Sequence, residues 1–236
     1  MIKRVLKIVI KILILVAIIA VILNVRIKSV EVIGNNKVGD EIIISSLFEK
    51  KNDDISLLFF LKNKIKGNKK IQLINSYSIK WITPFKIEVI VNEKTPIAFV
   101  RRDINNLYID REGTIIEMSE ERKEGLIEIA GVDFRNYDIG EELEFDNKKL
   151  FNALLNIASF LKENNLKASL IEIQKESDIY IYVDRIVAYM GDTRNMEIKL
   201  QRLIDIYPKI SDLSGTLDLS EARENMLDEQ YIFKKN

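Results

Sequence analysis

The first stretch of the chain is apolar without relief: Ile12 to Leu23 reads ILILVAIIAVIL, and Val5 to Ile10 adds mostly apolar length before it. Together they supply about 20 residues, the length a helix needs to cross a bilayer. Lys7 and Lys11 interrupt the run four residues apart on one helical face, near an end where lysine stems reach the headgroups. The small residues a signal peptidase would need, Ala17 and Ala20, lie inside the apolar run rather than after it. The pattern therefore predicts a retained transmembrane helix over 5–25.

After the span the hydrophobic period changes several times. Ile27 to Ile33 reads as a strand ending in the turn residues Gly34-Asn35-Asn36. Two helices are expected next, Gly39 to Phe48 with Asp40 as cap and Ile43, Leu47 and Phe48 as its apolar stripe, and Ser56 to Lys66 stopped by Gly67. Alternation at Tyr77, Ile79 and Trp81, then at Phe85, Ile87, Val89 and Val91 across Thr83-Pro84, predicts a hairpin with one buried face. Strand, helix, helix, strand, strand makes a small module over 26–92 whose sheet must cover two helices.

From Lys94-Thr95-Pro96 the pattern becomes strand-rich. Short strands are expected at Ile97 to Val100, Leu107 to Asp110 and Thr114 to Met118, the last two joined through a turn in which Gly113 takes positive φ. A helix over 147–164 carries Leu150, Leu154, Ile157 and Leu161 on one face. Strands return at Leu170 to Ile173, Ile179 to Val183 and Ile186 to Met190. A helix capped by Asp192 or Thr193 and ended with help from Pro208 follows, then strand from Leu213. The fold class is α+β: a transmembrane helix, a β-α-α-β-β module, and a mixed-sheet domain over 93–220 with helices on one face. Residues 221–236 form a C-terminal segment with a candidate last edge strand.

Charge sets the orientation of the span. Lys3, Arg4, Lys7 and Lys11 precede or enter it, no acidic residue occurs before Glu31, and only Arg26 and Lys28 follow closely. Positive charge stays inside, so 1–4 is expected to be a cytoplasmic tip and the bulk extracytoplasmic, which excludes nucleic acid as a partner. Lysine plus arginine equals aspartate plus glutamate at 36 each, so no global field points to any ligand class.

The chain has neither cysteine nor histidine, which removes disulfides, thiolate metal sites and every imidazole-based catalytic device. Ser159 and Lys162 match a serine-x-x-lysine spacing, but late in an amphipathic helix and without the companion motifs, so they are read as helix surface. The acidic stretch Asp138, Glu141, Glu142, Glu144, Asp146 lacks the spacing and glycine of a calcium loop and is read as solvated. The basic cluster Lys62, Lys64, Lys66, Lys69, Lys70 is read the same way, with anionic headgroups or wall polymers as the competing reading. No catalytic, cofactor or metal site is expected, and nothing reads as an enzyme.

Several stretches in order resemble one family. They are Val32-Ile-Gly-Asn35 closing the first strand, Glu93-Lys-Thr-Pro-Ile-Ala98, Leu107-Tyr-Ile-Asp-Arg-Glu-Gly113, Ile127-Glu-Ile-Ala-Gly131, Gly191, Lys199-Leu200, and Gly215-Thr-Leu-Asp-Leu-Ser220. With the anchor, they make the chain similar to the FtsQ/DivIB family of bacterial cell-division proteins, the first module looking like a POTRA domain. The resemblance implies a non-enzymatic divisome scaffold at the septum. Its late strands would bind the bitopic coiled-coil proteins FtsB/DivIC and FtsL. Carried over, the partner-binding residues are Thr216, Leu217, Asp218 and Leu219, with Tyr231, Ile232 and Phe233 as the exposed edge. The rival reading is a membrane-anchored POTRA-type chaperone or transport accessory for envelope proteins.

Overall fold

A computed structural model of the chain describes residues 2–67, 69–135, 137–174, 178–223 and 231–235. The apolar run forms α1, Ile2–Leu23, in which Leu6–Leu23 is long and apolar enough to cross a membrane and has no buried share. The helix begins within the basic tip and ends two residues earlier than the periodicity implied. There the Asn24 amide donates to the Ala20 carbonyl at 2.8 Å, closing the last turn.

The chain divides into two units, Met1–Lys94 and Thr95–Asn236. In the first, β1 (Ser29–Ile33), α2 (Asp40–Leu47), α3 (Ser56–Lys66), β2 (Ile74–Thr83) and β3 (Lys86–Glu93) follow α1 in the expected order. The sheet runs β1-β3-β2, with β1 parallel and β2 antiparallel to β3. Ile43, Leu47 and Phe59 from the helices meet Tyr77, Ile87, Val89 and Val91 from the sheet. Phe85 departs from the expected alternation: it sits in the turn between β2 and β3, 47% exposed. Asp40 is not the cap of α2. Gly39 occupies that position, and the Asp40 carboxylate instead accepts from the Asn35 side-chain amide at 2.7 Å.

The turn after β1 shows why glycine and asparagine follow it. Gly34 has φ 93°, and a Cβ there would collide with the Val91 carbonyl oxygen. Asn35 donates to the Val38 carbonyl at 2.8 Å, while the Glu93 carboxylate accepts the backbone N–H groups of Asn36, Lys37 and Val38. Burial raises the Glu93 pKa, but these three donors outweigh it and hold the group below its usual value.

The second unit is one nine-stranded mixed sheet. Its strands are β4 (Ala98–Arg102), β5 (Asn105–Ile109), β6 (Ile115–Ser119), β7 (Ile127–Ala130), β8 (Ala168–Gln174), β9 (Asp178–Val183), β10 (Ile186–Gly191), β11 (Gly215–Asp218) and β12 (Ile232–Lys235). The spatial order is β12-β11-β10-β9-β8-β7-β4-β5-β6. α4 (Lys148–Glu163) crosses from β7 to its parallel neighbour β8, and α5 (Met196–Ile210) from β10 to parallel β11. The two helices pack on each other and, through Leu154, Ile157, Leu161, Leu200 and Leu203, on the inward side chains of the sheet. The hydrophobic period does not predict β7, which lies inside the sheet, parallel to both β4 and β8.

Asn147 caps α4 by accepting the Leu150 N–H at 3.1 Å. At α5 neither Asp192 nor Thr193 is the cap. Asn195 holds that position with φ 54°, and the Asp192 carboxylate takes the Arg194 N–H at 2.9 Å instead. Pro208 lies inside α5 and the helix runs two residues past it to Ile210, because a proline in the last turn forfeits only one ladder bond.

Candidate partner-binding edge

Among the described residues the nine-stranded sheet has two edges, β6 and β12. β11 approaches β12 in the register Gly215↔Lys235, Thr216↔Lys234, Leu217↔Phe233, Asp218↔Ile232. Gly215 permits it, since a Cβ there would collide with the Lys234 carbonyl and press on the Phe233 ring. Leu217 is buried, and Tyr231 and Phe233 pack against the same core, so β12 is fastened by its inward side chains. Outward, Ile232 is 57% exposed, and Lys234 and Lys235 are exposed as well. Among the described residues Ile232–Lys235 pair only with β11.

The residues carried over from sequence thus separate. Leu217 and Leu219 are core. Thr216 and Asp218, half-buried, stand on the face opposite α4 and α5, and the Asp218 carboxylate also accepts from Ser220 N and Oγ at 2.9 and 2.7 Å, bending the chain out of β11. β11 has strand neighbours on both sides, so its backbone is not an open edge. Tyr231 precedes the last strand, its hydroxyl buried without a hydrogen-bond partner among the described residues. Of the polar stretch Glu221 to Glu229, helix-prone by composition, residues 221–223 are not helical and 224–229 lie outside the described residues.

Sequence reasoning missed Lys234 and Lys235, and it missed the aromatic surface beside them. Across the face opposite α4 and α5 the register lines up Glu172, Tyr180, Tyr189, Asp218 and Ile232 in one row, and Leu170, Tyr182, Val187, Thr216 and Lys234 in the next. Tyr180 and Tyr189 stack with centroids 4.9 Å apart. The Tyr182 hydroxyl donates to Glu172 Oε2 at 2.7 Å, which with burial pushes the tyrosine up to about 12. The strict alternation Ile179, Ile181, Val183 against Tyr180, Tyr182 was the available signal.

Lys199 fixes the end of β10. It is 2% exposed and its Nζ donates to the carbonyls of Met190 at 2.7 Å and Asp192 at 2.9 Å. Burial lowers its pKa, partly opposed by the Asp192 carboxylate. Together with Gly191, against whose backbone Ser220 lies, it sets where β11 leaves the sheet.

Residues 98–222, more than half of the chain, match the family model described as cell division protein FtsQ/DivIB, C-terminal. The chain belongs to the FtsQ/DivIB family. It is similar to cell division protein DivIB of Clostridium acetobutylicum, 27% identical over 82% of this chain and 79% of that one. The DivIB of Clostridium tetani is 24% identical over 80% and 72%, and that of Clostridium botulinum strain Hall 26% over 87% and 78%. Cell division is therefore the process in which this FtsQ/DivIB protein acts. The matched span ends just after β11, so the family model covers the platform and not β12 itself.

The other sequence candidates acquire different roles. Ser159 and Lys162 lie in the second half of α4, with Lys162 Nζ donating to the Pro96 carbonyl at 2.7 Å. The acidic stretch forms no group of three metal-capable side chains among the described residues; Asp146 pairs with Arg135 and Glu142 with Lys148. Its backbone instead runs along β6: Ile115 N donates to Glu141 O at 2.9 Å, Gly140 N to Ile115 O at 2.7 Å, and Leu143 N to Gly113 O at 3.0 Å.

Proposed function

We propose that this protein is a non-enzymatic divisome scaffold, held by α1 as a single-pass anchor with its N-terminus in the cytoplasm and acting at the division septum. Its partners are the bitopic coiled-coil division proteins FtsB/DivIC and FtsL, one of which adds a strand to β12. The observation that carries this reading is the asymmetry of the sheet, in which the start of β6 is covered by the 140–143 strap while β12 carries no cover among the described residues. An uncovered edge exposes a row of backbone donors and acceptors that proteins usually protect, and strand addition is what such a row does best.

Specificity would come from the side chains flanking that row. Lys234 and Lys235 disfavour indiscriminate pairing and favour a partner strand with acidic positions. Thr216, Asp218 and Ile232, next to the stacked tyrosines, supply the surface on which alternate partner side chains rest. Depletion with complementation tests the reading. Loss of the protein should give filaments without septa, and a copy truncated before Tyr231 should neither restore septation nor recover bitopic coiled-coil proteins in a pull-down. Normal septation on depletion would overturn the role; recovery of the same partners by the truncated copy would overturn the edge.

A further inference from the structure

The chain leaves α1 directly into the first unit. Ser56 N donates to Val25 O at 2.9 Å, Ile27 N to Asp54 O at 2.7 Å, and Lys28 N to Phe85 O at 2.8 Å. The start of α3 and the β2–β3 turn are therefore tied to residues within five positions of the end of the apolar helix. Ile22 and Val25 line a common groove with Leu57, Phe60, Trp81 and Pro84.

α3 is apolar on both sides. Phe59 faces the core, while Leu57, Phe60, Leu61 and Ile65, at helical spacing of three and four, face outward, Ile65 at 77% exposure. Ile82 near the end of β2 and Phe85 in the turn that follows are exposed as well. A contiguous apolar surface of this kind on a small unit calls for an occupant, and its continuity with the end of α1 says which one.

The charges around it have the matching sign. Of the basic cluster noted in the sequence, Lys62 pairs with Asp53 and Lys69 with Glu49, so those charges are used within the unit. Lys64 instead lies over the Phe60 ring at 5.9 Å, and Lys28 over the Phe85 ring at 5.7 Å, neither with an acidic partner among the described residues. A helix with an apolar outward stripe and lysines at its margin is the pattern of a segment lying in the headgroup region.

We propose that the outward face of α3 and the β2–β3 turn sit in the interface of the leaflet at which α1 ends, with Lys28 and Lys64 on anionic headgroups. The inference rests on α1 crossing the bilayer and holds for either orientation of the chain. The unit would thus be docked on the membrane by a second contact and not only tethered to it.

Trp81 is the single tryptophan of the chain and borders the patch. The full chain, reconstituted in phosphatidylglycerol-containing vesicles with acyl chains brominated near the headgroup, should float with the vesicles and show quenched Trp81 emission. The Leu61→Asn/Ile65→Asn variant should float equally but be quenched less. Lys28→Gln and Lys64→Gln should each narrow the difference in Trp81 quenching between phosphatidylglycerol-containing and zwitterionic vesicles. A chain that floats with Trp81 unquenched, whether its emission is unshifted or blue-shifted by contact with a second copy, overturns the seat and leaves the anchor standing. Equal quenching in the asparagine variant also overturns it. A chain that does not float overturns anchor and seat together.

Discussion

The two edges of the nine-stranded sheet are built from similar material and finished differently. β6 begins with buried Ile115 and Ile116, and its start is hydrogen-bonded to the strap at Gly140 and Glu141, itself pinned by buried Leu143. β12 is four residues long, fastened through Phe233, and open on its outer side among the described residues. The strap reaches only the start of β6, yet nothing comparable meets β12 among the described residues. That contrast is what the proposed use of β12 rests on, its lysines restricting what can pair there.

The largest effect is expected where that difference is created. Gly215→Val places side-chain atoms against the Lys234 carbonyl and the Phe233 ring, so β12 should detach and partner capture should disappear. Stability should fall by about 3 kcal/mol as Phe233 leaves the core, read in urea unfolding, with fast amide exchange confined to 232–235. Leu143→Ala should free the strap at the opposite edge at a cost of about 2–3 kcal/mol. It should also promote self-association through β6 on size-exclusion chromatography while leaving partner capture intact.

Ile232→Asp changes an exposed side chain, so stability should stay within about 0.5 kcal/mol. Partner affinity should nevertheless drop by about tenfold, which is roughly 1.4 kcal/mol, as measured by calorimetry. The smallest effect is in pH. The Tyr182 hydroxyl and Gln174 amide hold the Glu172 carboxylate below the ordinary 4.5, outweighing its burial. A carboxyl group depressed in the folded state stabilises the fold above its unfolded pKa, and that contribution is lost as pH falls through the folded value. The stability gap between the native chain and Glu172→Gln should therefore narrow on acidification below about pH 4.5.

Much of the scaffold was legible because burial imposes a period. α3 and α4 match the expected helices to within a residue, and the β2–β3 hairpin follows from Tyr77, Trp81, Ile87, Val89 and Val91. β7 escaped because four residues, Ile127–Ala130, are too few to establish alternation, and because its parallel partners lie far along the chain. Asp40 and Asp192 misled for one reason: an aspartate near a helix start can serve as cap or as turn acceptor, and only the local backbone decides.

The edge itself could not be read from local pattern. Whether Thr216 to Asp218 or Ile232 to Lys235 lies outermost depends on which strand has a neighbour, a property of topology and not of either segment. Strand propensity drew attention to Tyr231, Ile232 and Phe233, whereas the strand starts at Ile232 and includes Lys234 and Lys235. The apolar residues of α3 gave the opposite difficulty. Leu57, Leu61 and Ile65 look like core by composition, yet all three are exposed, Leu57 in the groove shared with the end of α1.

Because the chain contains no cysteine, single cysteines report one position each. Lys234→Cys on β12 and Ser119→Cys on β6, expressed as full-length protein in dividing cells and treated with a short thiol cross-linker, would test which edge is engaged. A bitopic coiled-coil division protein carrying an engineered cysteine should be captured at position 234 and not at 119. Capture at 119 with none at 234 would contradict the assignment of β12 as the partner-binding edge.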